Sequence, residues 1–141
     1  MKLVVIDGQG GGLGRSLIES LLHAPALARA EIVAVGTNSI ATSAMLKAGA
    51  TAAATGENAI TYNCTDADII LGAIGIAFAH SMHGEISPAM ATAVSGSKAL
   101  KVLIPIAKCN AQVVGLVDKP MAAYIADAVA MVVAQIETEA T

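Results

Sequence analysis

Five glycines within seven residues, from Gly8 to Gly14, separate two apolar segments near the start of the chain. Residues 2–6 form a mostly β-branched apolar run, which is typical of a buried parallel strand. Residues 13–22 carry leucine and isoleucine at helical spacing. A helix that begins after such a turn presents unpaired N–H groups and the positive end of its dipole, and both attract phosphate. The segment Asp7-Gly8-Gln9-Gly10-Gly11-Gly12-Leu13-Gly14 is therefore predicted to be a phosphate-binding turn.

The glycine spacing can be compared with known phosphate-binding patterns. Gly8 and Gly10 begin a G-x-G-x-x-G pattern, but its third position is Leu13, so the standard dinucleotide fingerprint is not met. The Gly-Lys-Ser/Thr ending of a P-loop is also missing from the sequence, which argues against a Walker-type NTPase. The spacing Gly8-x-x-x-Gly12-x-Gly14 resembles the cofactor turn of short-chain dehydrogenases, in which Thr usually stands at the position of Asp7. A structural turn that binds nothing is the alternative.

Short-chain dehydrogenases also need a Tyr that is followed four residues later by a Lys, because the pair transfers a proton. In this chain Tyr62 is followed at that distance by Asp66, and Tyr124 by Ala128. A dehydrogenase mechanism of that type is therefore disfavoured.

Asp7 is the unusual residue of the turn, because a carboxylate at its mouth repels an anionic ligand. Three roles are open to it: holding Mg²⁺, accepting a ligand hydroxyl, or bracing the turn by accepting backbone N–H groups. Arg15 follows the turn directly and either reaches a phosphate or extends into solvent.

A second group of chemistry-bearing residues, His80, His83 and Glu85, follows the fourth predicted strand. Two His three residues apart can ligate one metal with Glu as a third ligand, or can act as general acid and base. Cys109 is a further candidate, since a neighbouring lysine would lower its pKa, and Cys64 is a more distant one. The spacing matches no recognised metalloenzyme signature. We therefore expect no metal, and a polar loop or a subunit interface is the simpler interpretation.

Length and composition limit the class of protein. A chain of 141 residues suits one domain, and with no Trp and one Phe its core must consist of Ala, Val, Ile, Leu and Met. The net charge of −3 without a basic cluster argues against nucleic acid as a partner. The most apolar stretch, residues 69–79, is too short to span a bilayer, and no export signal or disulfide pattern is seen, so we expect a cytoplasmic protein without a membrane partner. Low charge and abundant Ala predict a homo-oligomer, with a dimer as the favoured state.

Hydrophobic periodicity and turn residues predict alternating strands and helices. The predicted strands are residues 2–6, 31–36, 50–55, 69–71, 101–106 and 112–117, and the predicted helices are residues 13–22, 40–48, 59–64, 88–95 and a closing helix capped by Asp118, with Pro120 in its first turn. This alternation indicates a three-layer, doubly wound, Rossmann-like α/β domain with strand order 3-2-1-4-5-6. The last connection is too short for a crossover helix, so we expect a mostly parallel six-stranded sheet with an antiparallel last strand.

In such a sheet, ligands bind beyond the C-terminal ends of strands one and four, where the winding direction reverses. The cofactor-site candidates besides the glycine turn are Thr37 and Asn38 after strand two, Gly56, Glu57 and Asn58 after strand three, Gly72 and Gly75 after strand four, and residues 108–110 after strand five. Dinucleotide folds commonly carry an acid after strand two that accepts the ribose hydroxyls. Here Thr37 and Asn38 stand there instead, and Asn38 either bonds the ligand or caps a helix.

Several motifs resemble those of a small prokaryotic family of uncharacterised proteins with a Rossmann-like N-terminal half. They are the Asp-Gly-Gln-Gly-Gly-Gly-x-Gly turn, Gly36-Thr37-Asn38-Ser39-Ile40-Ala41-Thr42, Lys47-Ala48-Gly49-Ala50 and Thr55-Gly56-Glu57-Asn58-Ala59-Ile60. The resemblance covers most of the chain. It implies the same α/β fold and brings no established activity or catalytic residues with it.

The leading hypothesis is a binding function. The turn from Gly8 to Gly14 would hold the phosphate of a nucleotide or dinucleotide, with NAD or NADP as possible cofactors and Asp7, Asn38 and Glu57 as polar selectors. One alternative is a small enzyme that uses the two histidines and the glutamate described above as acid/base groups or metal ligands. Further alternatives are a non-catalytic ligand sensor or interaction module, and a structural oligomer whose turn binds nothing.

Overall fold

The computed structural model describes residues 1–106 and 110–140. These residues form an α/β fold whose elements, in chain order, are β1 (Lys2–Asp7), α1 (Gly12–Leu22), β2 (Glu31–Gly36), α2 (Ser39–Lys47), β3 (Ala52–Thr55), α3 (Glu57–Cys64), β4 (Ile69–Ala73), α4 (Pro88–Ser95), β5 (Leu100–Ile104) and α5 (Met121–Ala140). Short 3₁₀ helices at Pro25–Leu27 and Ile74–Ala77 follow α1 and β4.

The strands form one sheet in which every neighbouring pair is parallel. Its order is β3-β2-β1-β4-β5, which confirms the predicted order for the first five strands. The chain winds outward from β1 through β2 to β3, and then from β4 to β5 in the opposite direction. The C-terminal ends of β1 and β4 therefore lie side by side where the winding reverses, and a crevice opens there.

Both faces of the sheet are covered by helices, and β1 shows how its sequence allows this. Alternate residues of a strand point to opposite faces. Leu3 and Val5 belong to a core that includes residues of α1 and α5, whereas Val4 and Ile6 belong to a core that includes residues of α3 and α4. All four side chains are buried. The continuous apolar run of β1 thus reflects burial on both sides, and the three-layer arrangement is confirmed.

The predicted sixth, antiparallel strand is wrong. Within the described residues 110–120 there is no strand, and the sheet has five parallel members. Leu116 and Val117 instead line a shallow cavity beside β5 and α5, and the Tyr124 hydroxyl donates a hydrogen bond to the Val117 carbonyl oxygen. Apolar residues suit such a surface contact as well as a strand, so periodicity could not separate the two. β5 is also shorter than predicted and ends at Ile104.

The first residues of α2 and α4 follow capping side chains, and of the two roles open to Asn38 the structure shows the cap. The side-chain oxygens of Asn38 and Ser87 accept backbone N–H groups of the first helical turns at 2.9 and 3.2 Å. The predicted start of α3 is two residues late, because the helix already begins at Glu57. α5 begins at Met121, so Asp118 is not its N-cap, and Pro120 precedes that helix instead of lying in its first turn.

Among the described helices, α5 is long and apolar enough to cross a membrane by length and composition, with a mean hydropathy of 1.3. In the fold, Ile125, Ala128 and Val132 of α5 are buried in the core beside α1 and β5. The apolar stripe of α5 is therefore used to cover one face of the sheet.

Two adjacent leucines at the end of α1 give a matched test of this packing. Leu21 is fully buried, whereas Leu22 is 51% exposed. Leu21→Ala leaves a cavity and should lower the free energy of unfolding by about 2–5 kcal/mol. Leu22→Ala should change it by less than about 1 kcal/mol. Urea denaturation of both variants measures the difference, and equal losses would contradict the assigned buried face of α1.

Candidate functional site

A cleft of about 180 Å³ lies at the C-terminal ends of β1 and β4. One wall is the glycine turn, and the other is formed by the end of β4, the loop of residues 78–87 and Ile106 after β5. The residues that line the cleft are Asp7, Gly8, Gln9, Gly10, Gly11, Gly12, Leu13, Ala73, Gly75, Ser81, Met82 and Ile106. The glycine turn therefore lines a cleft at the C-terminal ends of strands one and four, where the sequence predicted a ligand site.

Two glycines of the turn, Gly11 and Gly14, are required because neighbouring atoms leave no room for a side chain. Gly11 has a left-handed φ of 76°, and a Cβ at this position would lie 2.7 Å from the Ala41 Cα atom. A Cβ at Gly14 would lie 2.5 Å from the Met45 sulfur. These close approaches bring the turn and α1 against α2.

Gly10 and Gly12 differ from those glycines, because nothing in the described chain requires them. Neither has a left-handed φ, and an added Cβ at either position would meet no atom within 4 Å. Both residues line the cleft. Glycine at these positions leaves the backbone open to close approach by whatever enters the cleft.

The backbone N–H groups of the turn fall into two sets. Asp7 accepts the Gly8 N–H at 2.8 Å with one carboxylate oxygen and the Gly14 N–H at 2.7 Å with the other, so both of its oxygens brace the turn. Gly11 donates its N–H to the Gly8 carbonyl oxygen at 3.0 Å. In the described part of the chain, the N–H groups of Gly10, Gly12 and Leu13 have no hydrogen-bond acceptor. These three donors lie at the cleft and at the start of α1.

Asp7 is only 6% exposed, and burial raises the pKa of its carboxyl above the ordinary 3.8. The N–H groups of Gly14 and Gly8 oppose this rise in pKa, while the nearby charge of Glu85 adds to it. The net effect is a carboxyl that takes up a proton more readily than a solvated aspartate does. Of the three roles left open by the sequence, the geometry matches the brace.

Glu85 lies beside the turn although it is 76 residues away from Gln9 in sequence. One carboxylate oxygen accepts the Gln9 N–H at 2.7 Å, and the other accepts Asn38 Nδ2 at 2.9 Å. Sequence reasoning found no acid after β2. The structure places an acid there from the 78–87 loop, namely Glu85. The spacing of His80, His83 and Glu85 did not indicate that Glu85 would contact Gln9 and Asn38.

The two histidines do not join Glu85 in a metal site. His80 and His83 are exposed, and within the described residues no three His, Cys, Asp or Glu side chains form a group that could hold a metal ion. Cys64 is buried, and burial raises the pKa of its thiol to about 11, so it is a protonated core residue. Lys108 and Cys109 lie outside the described residues.

Several predicted cofactor residues are not at the cleft. Glu57 and Asn58 belong to the first turn of α3 next to Gly56, and Gly72 is packed inside β4, where an added Cβ would lie 2.7 Å from the Ile6 carbonyl oxygen. Gly75 does line the cleft. Ala73, which lies within the predicted segment 72–75, also lines the cleft, and the residues that sequence reasoning missed are Ser81, Met82 and Ile106.

The 78–87 loop, which borders the cleft with Ser81 and Met82, has an unusual backbone conformation. His80, Met82, His83 and Gly84 have left-handed φ angles of 70°, 58°, 56° and 91°. Such angles cost roughly 1–3 kcal/mol for a non-glycine residue and persist where the surroundings enforce them. Here the buried Ser81 hydroxyl donates to the carbonyl oxygens of Gly75 and Phe78. No local sequence signal predicts this conformation, because it depends on tertiary contacts.

The fold and the cleft together define a doubly wound, parallel α/β protein with a glycine turn at the reversal of winding. Residues 2–137 match the family described as a domain of unknown function, DUF3842, and the chain belongs to that family. The predicted resemblance to a family of uncharacterised proteins is thereby confirmed. Searches of curated proteins and of solved structures found no match.

The raised pKa of Asp7 predicts a pH dependence of stability. Because the folded chain binds the proton more tightly than the unfolded chain, the stabilising effect is fully present below pH 3.8 and is lost as pH rises through the raised pKa. The unfolding free energy of the wild type minus that of Asp7→Asn should therefore fall as pH rises from 3.8, and then level off.

Urea titrations across this range measure that difference, and a second variant controls for its sign. A hydrogen bond from Lys2 lowers the pKa of the exposed Asp66, so the wild type minus Asp66→Asn should instead fall as pH drops below 3.8. A difference for Asp7 that stays constant or rises with pH would contradict the assignment.

Proposed function

We propose that the chain binds a nucleotide or dinucleotide whose phosphate accepts the N–H groups of Gly10, Gly12 and Leu13. The observation that carries the proposal is the coincidence of two features at the same residues. Donors without an acceptor in the described chain face the cleft, and two of them belong to glycines that the packing does not require. A phosphate approaching the backbone closely would account for both features.

Two features of opposite effect lie beside the cleft: the N-terminus of α1 attracts an anion, and the Asp7 carboxylate repels it. The N-terminus of α1 favours a negative charge, since its first residues, Gly12 and Leu13, line the cleft and their N–H groups have no acceptor in the described chain. The Asp7 carboxylate repels the same charge, but its raised pKa lowers the cost of neutralising it. Ligand affinity is therefore proposed to increase as pH falls toward the range in which Asp7 takes up a proton.

The cleft is large enough for only one end of a nucleotide or dinucleotide. Its volume of about 180 Å³ is below the roughly 300–1,000 Å³ of sites that enclose a whole drug-sized molecule. The phosphate end of the ligand would lie inside, and the remainder would extend over the rim. NAD and NADP remain candidate cofactors, and the proposal is one of binding in a cytoplasmic protein.

We also propose self-association through the face formed by residues 113–117 and α5. Val114, Val117 and Met131 are 100%, 68% and 58% exposed, and β5 beside them is an edge strand of the sheet. The charged side chains that line this face, Lys119 and Asp127, form an ion pair at 2.5 Å. A second copy could therefore cover the apolar surface without bringing unpaired charges together.

Alanine substitution at Gly12 tests ligand binding. The new Cβ would occupy open space at a residue that lines the cleft, and it should abolish the thermal shift that ADP, NAD or NADP gives the wild type. It should leave the unfolding free energy unchanged or raise it by about 0.4–1 kcal/mol, because the backbone angle is compatible with alanine. Ser39→Ala, at the first residue of α2 and outside the cleft, is the matched control and should keep the shift.

Thermal-shift measurements with millimolar ligand, together with mass spectrometry of the purified protein for a retained nucleotide, decide the outcome. If the wild type responds to none of these ligands and carries none, the proposed function is wrong. It is equally wrong if Gly12→Ala responds as strongly as the wild type.

A charge at Met131 tests self-association. Met131→Glu should convert an oligomer to a monomer in light scattering, since it would place a carboxylate in an apolar contact. Leu46→Glu is a control on α2, where Leu46 is 51% exposed, and should leave the molar mass unchanged. A wild type that is monomeric at high micromolar concentration would contradict the proposal.

A further inference from the structure

Three polar groups converge where Glu85 meets the glycine turn. The Gln9 N–H and Asn38 Nδ2 donate to the two Glu85 oxygens. The third group is the Thr37 hydroxyl. A Cβ built on Gly8 would lie 2.7 Å from both the Thr37 oxygen and a Glu85 oxygen, so those two oxygens lie on the same side of the turn.

The Thr37 hydroxyl is the unexplained member of this group. Its oxygen is buried and has no hydrogen-bond partner in the described part of the chain. A buried hydroxyl without a partner costs free energy, and it is uncommon in folded proteins. The adjacent carboxylate of Glu85 already accepts two donors and does not engage it. This position therefore has three hydrogen-bond donors, and the Glu85 carboxylate that occupies it accepts only two of them.

Asn38 is oriented so that it must present a donor here. Its Oδ1 accepts the Ala41 N–H at 2.9 Å as the cap of α2, which turns Nδ2 toward Glu85 and the Gln9 carbonyl oxygen. Gln9 itself lines the cleft. The position held by the Glu85 carboxylate is thus an anion position at Gln9, the residue that directly precedes the Gly10 N–H donor in the turn.

We propose that this position receives the second phosphate of the ligand, that Glu85 stands in for that phosphate, and that the preferred ligands are diphosphate esters. This inference rests on the proposed function. A carboxylate is planar and offers two oxygens, whereas a tetrahedral phosphate offers enough oxygens for Gln9, Asn38 and Thr37 together. Nucleoside diphosphates and dinucleotides carry two linked phosphates and can occupy both positions. Nucleoside monophosphates can occupy one.

Glu85 can leave this position by rotation of its side chain. The residue is half-buried, whereas its neighbour Ile86 and the nearby Ser81 and Met82 are buried and hold the loop in place. Displacement also removes one of two acids from the turn, since Asp7 lies close enough to feel the charge of Glu85. Glu85 is therefore a selectivity-determining residue that competes with the second phosphate.

Calorimetric titration with AMP and ADP tests the inference. Glu85→Gln removes the competing charge and should strengthen ADP binding by about tenfold or more, with a clearly smaller gain for AMP. Glu57→Gln, which makes the same charge change at the exposed start of α3, should alter neither affinity. Thr37→Val should weaken ADP binding by about threefold to tenfold and leave AMP binding unchanged, because it removes only the hydroxyl. Thr37→Val should also keep or raise the melting temperature, since that hydroxyl has no partner in the protein.

The possible outcomes separate this inference from the proposed function. If AMP and ADP bind the wild type and Glu85→Gln strengthens both equally, charge repulsion alone is at work and the second-phosphate position is wrong. If Glu85→Gln weakens ADP and AMP, Glu85 accepts ligand hydroxyls and the inference is overturned, while the proposed function stands. If neither nucleotide binds the wild type or Glu85→Gln, this inference is wrong; the proposed function is also wrong if NAD and NADP give the wild type no thermal shift and the purified protein retains no nucleotide. Circular dichroism verifies folding, and Glu85→Ala replaces Glu85→Gln if the latter does not fold.

Discussion

The two hydrogen bonds that Asp7 accepts hold the glycine turn in place between β1 and α1. One joins the end of β1 to Gly8, and the other reaches across the turn to Gly14 in the first turn of α1. A single carboxylate thereby fixes the path of six intervening residues. The bonds are made by an ion that is almost fully buried, so the turn depends on a group whose charge the protein stabilises poorly.

The carboxylates that hold the turn also carry negative charge beside the N–H groups that an anion would need. The amides that Asp7 and Glu85 engage belong to the same backbone segment as those that face the cleft. Two carboxylates close to donors of this kind weaken the binding of any anion unless one is neutralised or displaced. Asp7 is held by the fold and can only change its protonation, whereas Glu85 is half-buried and can move. Protonation of Asp7 and movement of Glu85 would each reduce the negative charge beside the turn.

Much of the fold could be predicted because local patterns and tertiary structure agree over most of the chain as far as α4. β1 is apolar on both faces because both faces are buried, and Asn38 and Ser87 cap helices through their own side chains. The prediction failed at residues 112–117, where the apolar residues lie on the surface beside β5 and α5 without strand pairing. Strand pairing is a property of two segments, so one segment's periodicity cannot establish it.

The sequence by itself determined the strand–turn–helix at the start of the chain, the glycines that allow close approach, and the family to which the chain belongs. These features follow from short-range chemistry, namely backbone freedom, helical spacing and capping. Only the tertiary structure decided that Glu85 meets Gln9 and Asn38, that His80 and His83 remain at the surface, and that Thr37 keeps a buried hydroxyl without a partner. Those relations depend on how the 78–87 loop is anchored by Ile86 and Met82 in the core. That anchoring is set by packing between segments far apart in sequence.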